Sequence, residues 1–163
     1  MKPCEPILCK NPFFFSLCAS VYSVVNWSSL EEQREPMQKV RLEQMFAQFS
    51  EHWSPRIVGE LNGQHVKLAK FQGAFDWHYH ADEDEMFLVV HGSFRMDYRE
   101  PDGSEHSLDV AAGEFLIVPR GTEHRPIADE ECHVLLFEPA GTLNTGNIRS
   151  EKTVDNPAKL VDE

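Results

Sequence analysis

The chain has 163 residues, 41% hydrophobic and 26% charged, which is the balance of a globular protein long enough to bury a core. Its formal net charge of -12 argues against nucleic acid as a partner, because phosphates are repelled, and makes a cation the more natural guest. The cysteines Cys4, Cys9, Cys18 and Cys132 show neither zinc spacing nor a disulfide framework, so free thiols in a reducing, cytoplasmic compartment are expected.

Residues 1–30 read as an extension outside the domain. Asn11 to Val25, NPFFFSLCASVYSVV, is an apolar run behind Lys2 and Lys10. The h-region of a secretory signal is its alternative reading, with the small residues of CAS as a cleavage site. The run is too short and too rich in serine for a transmembrane helix, so no membrane is expected. Pro3, Pro6, Pro12 and Glu5 suit a signal n-region poorly. A later start at Met37 is a third reading, and under it too the extension is dispensable.

Residues 31–51 read as helix. Leu42, Met45, Phe46 and Phe49 fall at helical spacing and make one apolar stripe, which suits core packing. Ser29 and Glu32 form a weak capping box, and Pro36 interrupts the pattern. The better helix is therefore Met37 to Phe49.

Residues 52–138 change character. RIVGEL, HVKLAKF, FDWHYH, EMFLVVH, SFRMDYRE, SEHSLDV, EFLIVP and CHVLLFE all read as short strands. The breaks between them carry Asn62-Gly63, Pro101-Asp102-Gly103, Gly113 and Gly121, and Asn-Gly and Asp-Gly suit tight hairpins. Many short strands without helical pattern between them predict an all-β sandwich or barrel. Residues 139–163 read as a polar tail extended over the surface.

Within FDWHYH, residues two apart share a face of a strand, so His78 and His80 project together and Tyr79 points away. Two imidazoles on one face grip a first-row transition metal. Glu85 has the opposite parity. It reaches the histidines only if Ala81 to Asp84 break the strand, leaving Asp82, Glu83 and Asp84 solvated in the bend. By itself an H-x-H pair is weak evidence, and two surface histidines explain it as well.

The surroundings alter that balance. Gly73, His78, His80, Glu85 and Gly92 fit G-x4-H-x-H-x4-E-x6-G, and Gly113, Pro119, Gly121 and His124 fit G-x5-P-x-G-x2-H. These segments resemble the two motifs of the cupin superfamily, with the short spacer of small single-domain, type-2-like members. The first motif has four residues before its first histidine where the common form has five. The usual asparagine after the second motif is Ala128.

The resemblance implies a cupin-type jelly-roll β-barrel with a short N-terminal helix and an extended C-terminal tail. Residue by residue it implies His78, His80, Glu85 and His124 as ligands of one divalent transition metal. Three imidazoles and a carboxylate suit Fe, Mn, Ni, Zn or Cu and leave positions for water or substrate. The implied function is a metal-dependent enzyme, an oxygenase or isomerase acting on a small polar or aromatic molecule. The alternative is a non-catalytic metal or small-ligand binding module.

No second acid or lysine is identifiable in the strands, which favours oxygen chemistry or plain binding over a proton-shuttling isomerase. Of the other histidines, His52, His65 and His106 read as exposed or at strand edges. His91 and His133 read as core histidines before cavity residues. Arg120 and Arg125 flank the second motif and read as solvated, or as contacts for an anionic substrate. Trp77 and Tyr79 face away from the ligands. EMFLVV and HVLLF are apolar on both faces, so the face outside the barrel needs a cover, either the helix or the partner in a homodimer.

Overall fold

The computed structural model describes residues 37–161. The chain divides into two units, Met1–Met37 and Gln38–Glu163, and the fold is that of the second. The expectations for residues 1–30, and for the capping box at Ser29 and Glu32, fall outside the described residues.

Seven strands form one antiparallel system: β1 (Arg56–Leu61), β2 (Gln64–Ala74), β3 (Glu85–His91), β4 (Ser93–Arg99), β5 (Glu105–Ala111), β6 (Phe115–Val118) and β7 (Glu123–Pro139). The order is β1-β2-β7-β3-β6, with β4 on the first half of β7 and β5 beyond it. β7 therefore belongs to both sheets of the jelly roll. Its first half pairs with β4 and its second half with β2 and β3. The inward set of β7 keeps one parity on either side of an exposed stretch at 129–131: His124, Pro126, Ala128, then Cys132, Val134, Leu136 and Glu138 are buried.

The hairpins follow their turn residues. Asn62 and Gly63 both have positive φ, 53° and 74°, the pair that a two-residue hairpin with native twist requires. They join β1 to β2 with Leu61 opposite Gln64. Gly103, at φ 84°, closes the β4–β5 turn.

Two apolar clusters result. Inside the barrel, Phe71, Phe75, Phe87, Phe94 and Met96 pack with Val134 and Leu136. Outside, Met45, Phe46, Phe49 and Leu68 pack with Val58, Val90 and Leu135. The outer face of β2, β3 and β7 is thus covered by the Leu42–Phe49 stripe. The helix itself, α1, is only Leu42–Phe46. It is shorter than the Met37–Phe49 expected, and its N-cap is Arg41 rather than a capping Ser, Asp or Asn. Packing of the stripe, not helical propensity, holds the segment.

Two strand expectations need correction. FDWHYH is extended but unladdered, with one isolated bridge between His78 and His124. The CHVLLFE segment is only the end of β7, which runs back through Pro126 to Glu123. Pro126 sits inward in the β4 pairing opposite Met96. The tail turns repeatedly, at 140–141, 144–147 and 151–152, and Thr142 and Thr145 are buried in it. Among the described residues, no helix is long and apolar enough to cross a membrane.

Candidate metal centre

Four side chains from three places in the chain meet inside the barrel. His78 and His80 come from the unladdered segment, Glu85 from the first position of β3, and His124 from β7. All four are at most 5% exposed. One ligand atom from each lies within 4.8 Å of the others. Glu85 Oε2 stands 3.2 Å from His80 Nε2 and 3.4 Å from His124 Nε2. Ligands at about 2.0–2.2 Å from a common ion are separated by about this much.

From His78 to His80 the segment keeps the alternation of a strand without being one, with His78 and His80 buried and Tyr79 exposed. His78 exchanges backbone bonds with His124, N to O at 3.1 Å and O to N at 2.9 Å. At Tyr79 the partner is the tail: its N–H donates to Asn147 Oδ1 at 2.9 Å and its carbonyl accepts from Asn147 N at 3.1 Å. The His80 carbonyl accepts from Gly121 N at 2.7 Å. Gly146, at φ 50°, lies so close that a Cβ would collide with the Tyr79 carbonyl and reach within 3.3 Å of the His80 ring. The tail therefore does what a neighbouring strand would have done.

The donor set suits a metal. Nδ1 of His78 donates to the Asp76 carbonyl at 3.0 Å, and Nδ1 of His124 to the Thr122 carbonyl at 2.9 Å. A carbonyl only accepts, so each ring is fixed with its Nε2 lone pair directed inward. His80 Nε2, Glu85 Oε2 and His124 Nε2 are buried and have no hydrogen-bond partner. Three orphaned atoms at one point are costly unless something binds them. Burial, followed by repulsion from His124, lowers His78 to about 4, so its imidazole is neutral near pH 7. Burial raises Glu85, but the Glu138 carboxyl and the His124 and His80 rings beside it outweigh this and hold the carboxyl well below the ordinary range.

The strands do carry a second acid and a lysine, contrary to expectation. Register across β3 and β7 pairs Met86 with Phe137, which sets Glu85 against Glu138. Glu138 Oε1 accepts from Lys67 Nζ at 2.7 Å, both side chains being 1% exposed. Lys67 also donates to the Thr142 carbonyl at 3.2 Å. Burial, and then the Glu85 carboxylate, push Glu138 well above the ordinary range, while Lys67 pulls it back. The signal was parity: Lys67 alternates with Ala69 and Phe71, and Glu138 with Val134 and Leu136, all inward.

The remaining candidates lie elsewhere. Asp82 and Asp84 are exposed in the bend, and Asp84 binds Arg120 at 3.1 Å. Arg125 pairs with Asp97 at 2.9 Å and lies over the Trp77 ring, which Arg99 covers at 4.0 Å. His91 is neither core nor cavity. The register slips between Val89 and His91, so parity breaks and the side chain is exposed. His133 faces outward, stacked on Phe46 at 4.3 Å and bound to Glu131 at 2.9 Å.

A two-sheet antiparallel jelly roll with three histidines and a glutamate clustered inside defines a class, the small single-domain barrels of the cupin type. The comparisons make this specific. The Cupin domain family model matches residues 64–138. A crystal structure of a cupin-2 domain containing protein from Shewanella frigidimarina is 39% identical, covering 61% of this chain and 93% of that one, with a TM-score of 0.57. The chain belongs to the cupin superfamily.

Protein YdbB of Bacillus subtilis is 37% identical over 68 residues, 42% of this chain and 57% of YdbB. Acireductone dioxygenase 1 of Coprinopsis cinerea is 35% identical over 95 residues, 56% of this chain and 52% of that protein. The chain thus spans little more than half the length of these two relatives.

Proposed function

We propose that this chain is a metal-dependent cupin enzyme, an oxygenase or isomerase acting on a small polar or aromatic molecule. In this reading His78, His80, Glu85 and His124 hold one divalent transition metal, Fe, Mn, Ni, Zn or Cu. The observation that carries it is the convergence of three buried, unpartnered donor atoms. A bound ion of this kind supplies Lewis acidity and, where redox-active, electron transfer. The chain supplies the rest. The Asp76 and Thr122 carbonyls orient two imidazoles, the barrel excludes water, and Glu138 offers a proton-holding carboxyl beside Glu85.

The likeness to acireductone dioxygenase supports the oxygenase branch. Glu138 supports the isomerase branch, which needs a proton carrier near the ion. The narrow cavity supports a second reading, a non-catalytic metal or small-ligand binding module. The working unit is the barrel, 52–138, flanked by the helical segment 31–51 and the tail 139–163, with 1–30 dispensable. A cytoplasmic homodimer completes the reading, and exposed Leu108, Phe115 and Ile117 support the dimer by offering it an apolar contact.

Metal analysis of untagged protein, followed by oxygen uptake with catechols, diketones and thiols, tests this. Iron with substrate-dependent uptake is the expected result. Zinc without turnover moves the reading to isomerisation or binding. A His78→Ala, His124→Ala double variant that keeps full metal content refutes the ligand set.

A further inference from the structure

The cavity that reaches the metal set is narrow. About 40 Å³ lies between His78 and Glu85 on one side and Trp53, Phe71 and Phe87 on the other. One water needs about 10–15 Å³ of such space, and a cavity that takes benzene is about 150 Å³. The space beside the centre therefore fits a molecule of a few heavy atoms and not an aromatic ring.

Trp53 sets that limit. Phe71 and Phe87 stand in the middle of β2 and β3, where the sheet fixes them. Trp53 comes from the loop before β1, and its indole stacks on Phe71 at 4.4 Å and leans on Phe75 at 4.9 Å. Its backbone has φ 57°, a left-handed conformation in which a bulky side chain is a genuine outlier. Such strain persists only where the surroundings over-determine it. Here they do. Trp53 N donates to the Lys70 carbonyl at 2.8 Å, and the indole Nε1–H donates to the Gln72 carbonyl at 2.9 Å. Asn144 Nδ2 donates to the Trp53 carbonyl at 3.4 Å, and Asn144 is itself tied to Lys152 and Val154. Core filling alone would be served by an aromatic residue on a strand. A strained loop tryptophan, anchored at both its backbone and its ring, holds one wall at one distance.

We propose that Trp53 is the specificity-determining residue of this site, admitting molecules of a few heavy atoms to the centre and turning aromatic rings away. This rests on the reading of His78, His80, Glu85 and His124 as a metal centre, and it selects the small polar branch of the substrate range.

The test uses the full chain loaded with Co(II), with visible absorption reporting ligand binding. Azide is the small probe and 4-nitrocatechol the ring-bearing one. Trp53→Gly suits the positive φ, and Trp53→Leu keeps an apolar side chain in place. Co(II) stoichiometry and near-ultraviolet circular dichroism show whether each variant retains the fold. Wild type is expected to bind azide and leave 4-nitrocatechol unbound. The variants are expected to gain 4-nitrocatechol binding by ~10-fold or more. Wild type that binds 4-nitrocatechol as tightly as a folded variant overturns the size limit and leaves the metal centre standing. Wild type that takes up no Co(II) overturns both.

Discussion

Glu138 faces Glu85 across the β3–β7 ladder while its Oε1 lies 2.7 Å from Lys67 Nζ. A buried lysine thus reaches the candidate ligand set through one intervening carboxyl. Two acids side by side in a buried place do not both ionise at little cost. Glu85 is held down, Glu138 is pushed up, and Lys67 binds Oε1 of Glu138.

Removing one member of such a pair leaves an uncompensated buried group. With Glu138 holding its proton, Lys67→Met strips the carboxyl of its donor and is expected to destabilise the protein by about 1–3 kcal/mol, read from urea unfolding. The Lys67→Met, Glu138→Leu double variant should cost less than Lys67→Met alone, because no unpaired carboxyl remains. Equal or greater loss in the double variant would show that the pair matters for packing and not for charge.

Much of the barrel was legible because it rests on local patterns. β1 and β3 match RIVGEL and EMFLVVH residue for residue, and the Asn62-Gly63 turn is where the dipeptide placed it. The four ligand candidates were legible from spacing within two motifs. What escaped depends on contacts between distant parts. The last strand was legible only as CHVLLFE, whereas β7 begins at Glu123 and runs through Pro126. Lys67 and Glu138 were treated as ordinary strand polars although their parity pointed inward. The tail looked like a surface strand of polar residues, and only the fold shows Asn147 and Gly146 against Tyr79 and His80.

Cys132 gives a simple check of the inner core. Burial pushes its thiol up to about 11, so almost no thiolate exists at pH 8. Native protein should leave Cys132 unmodified by Ellman's reagent over minutes, and urea should release it at once. With the cysteines of the first 18 residues replaced by serine, the measured thiol is Cys132 alone. Rapid labelling under native conditions would contradict the packing of β7.

The metal-free centre should make the protein acid-sensitive. Burial, and then repulsion from His124, lower His78 from 6.5 to about 4. Between those values the unfolded chain binds a proton there and the folded chain does not, so stability rises with pH across the window. The contribution is present above the unfolded value and is lost as pH falls through the folded one. It amounts to on the order of 3 kcal/mol. Urea midpoints of metal-free protein should fall as pH drops from 6.5 towards 4, and His78→Gln should flatten that part of the profile. A wild-type profile already flat across this window would refute the assignment.

The tail's role at the centre is tested at one residue. Gly146 has φ 50°, and a Cβ there would strike the Tyr79 carbonyl and crowd His80. Gly146→Ala must therefore push residues 144–148 away from the ligand segment, loosening the Asn147 bonds that fix Tyr79. Partners one step removed from a metal typically matter 10- to 100-fold for its affinity, so a loss of about that size is expected. Competition against a chromophoric chelator measures it. Asn147→Ala removes the side-chain bond to Tyr79 N without steric insult, and should weaken metal binding in the same direction by less. If both variants bind metal as tightly as wild type, the tail covers the barrel but does not position His80.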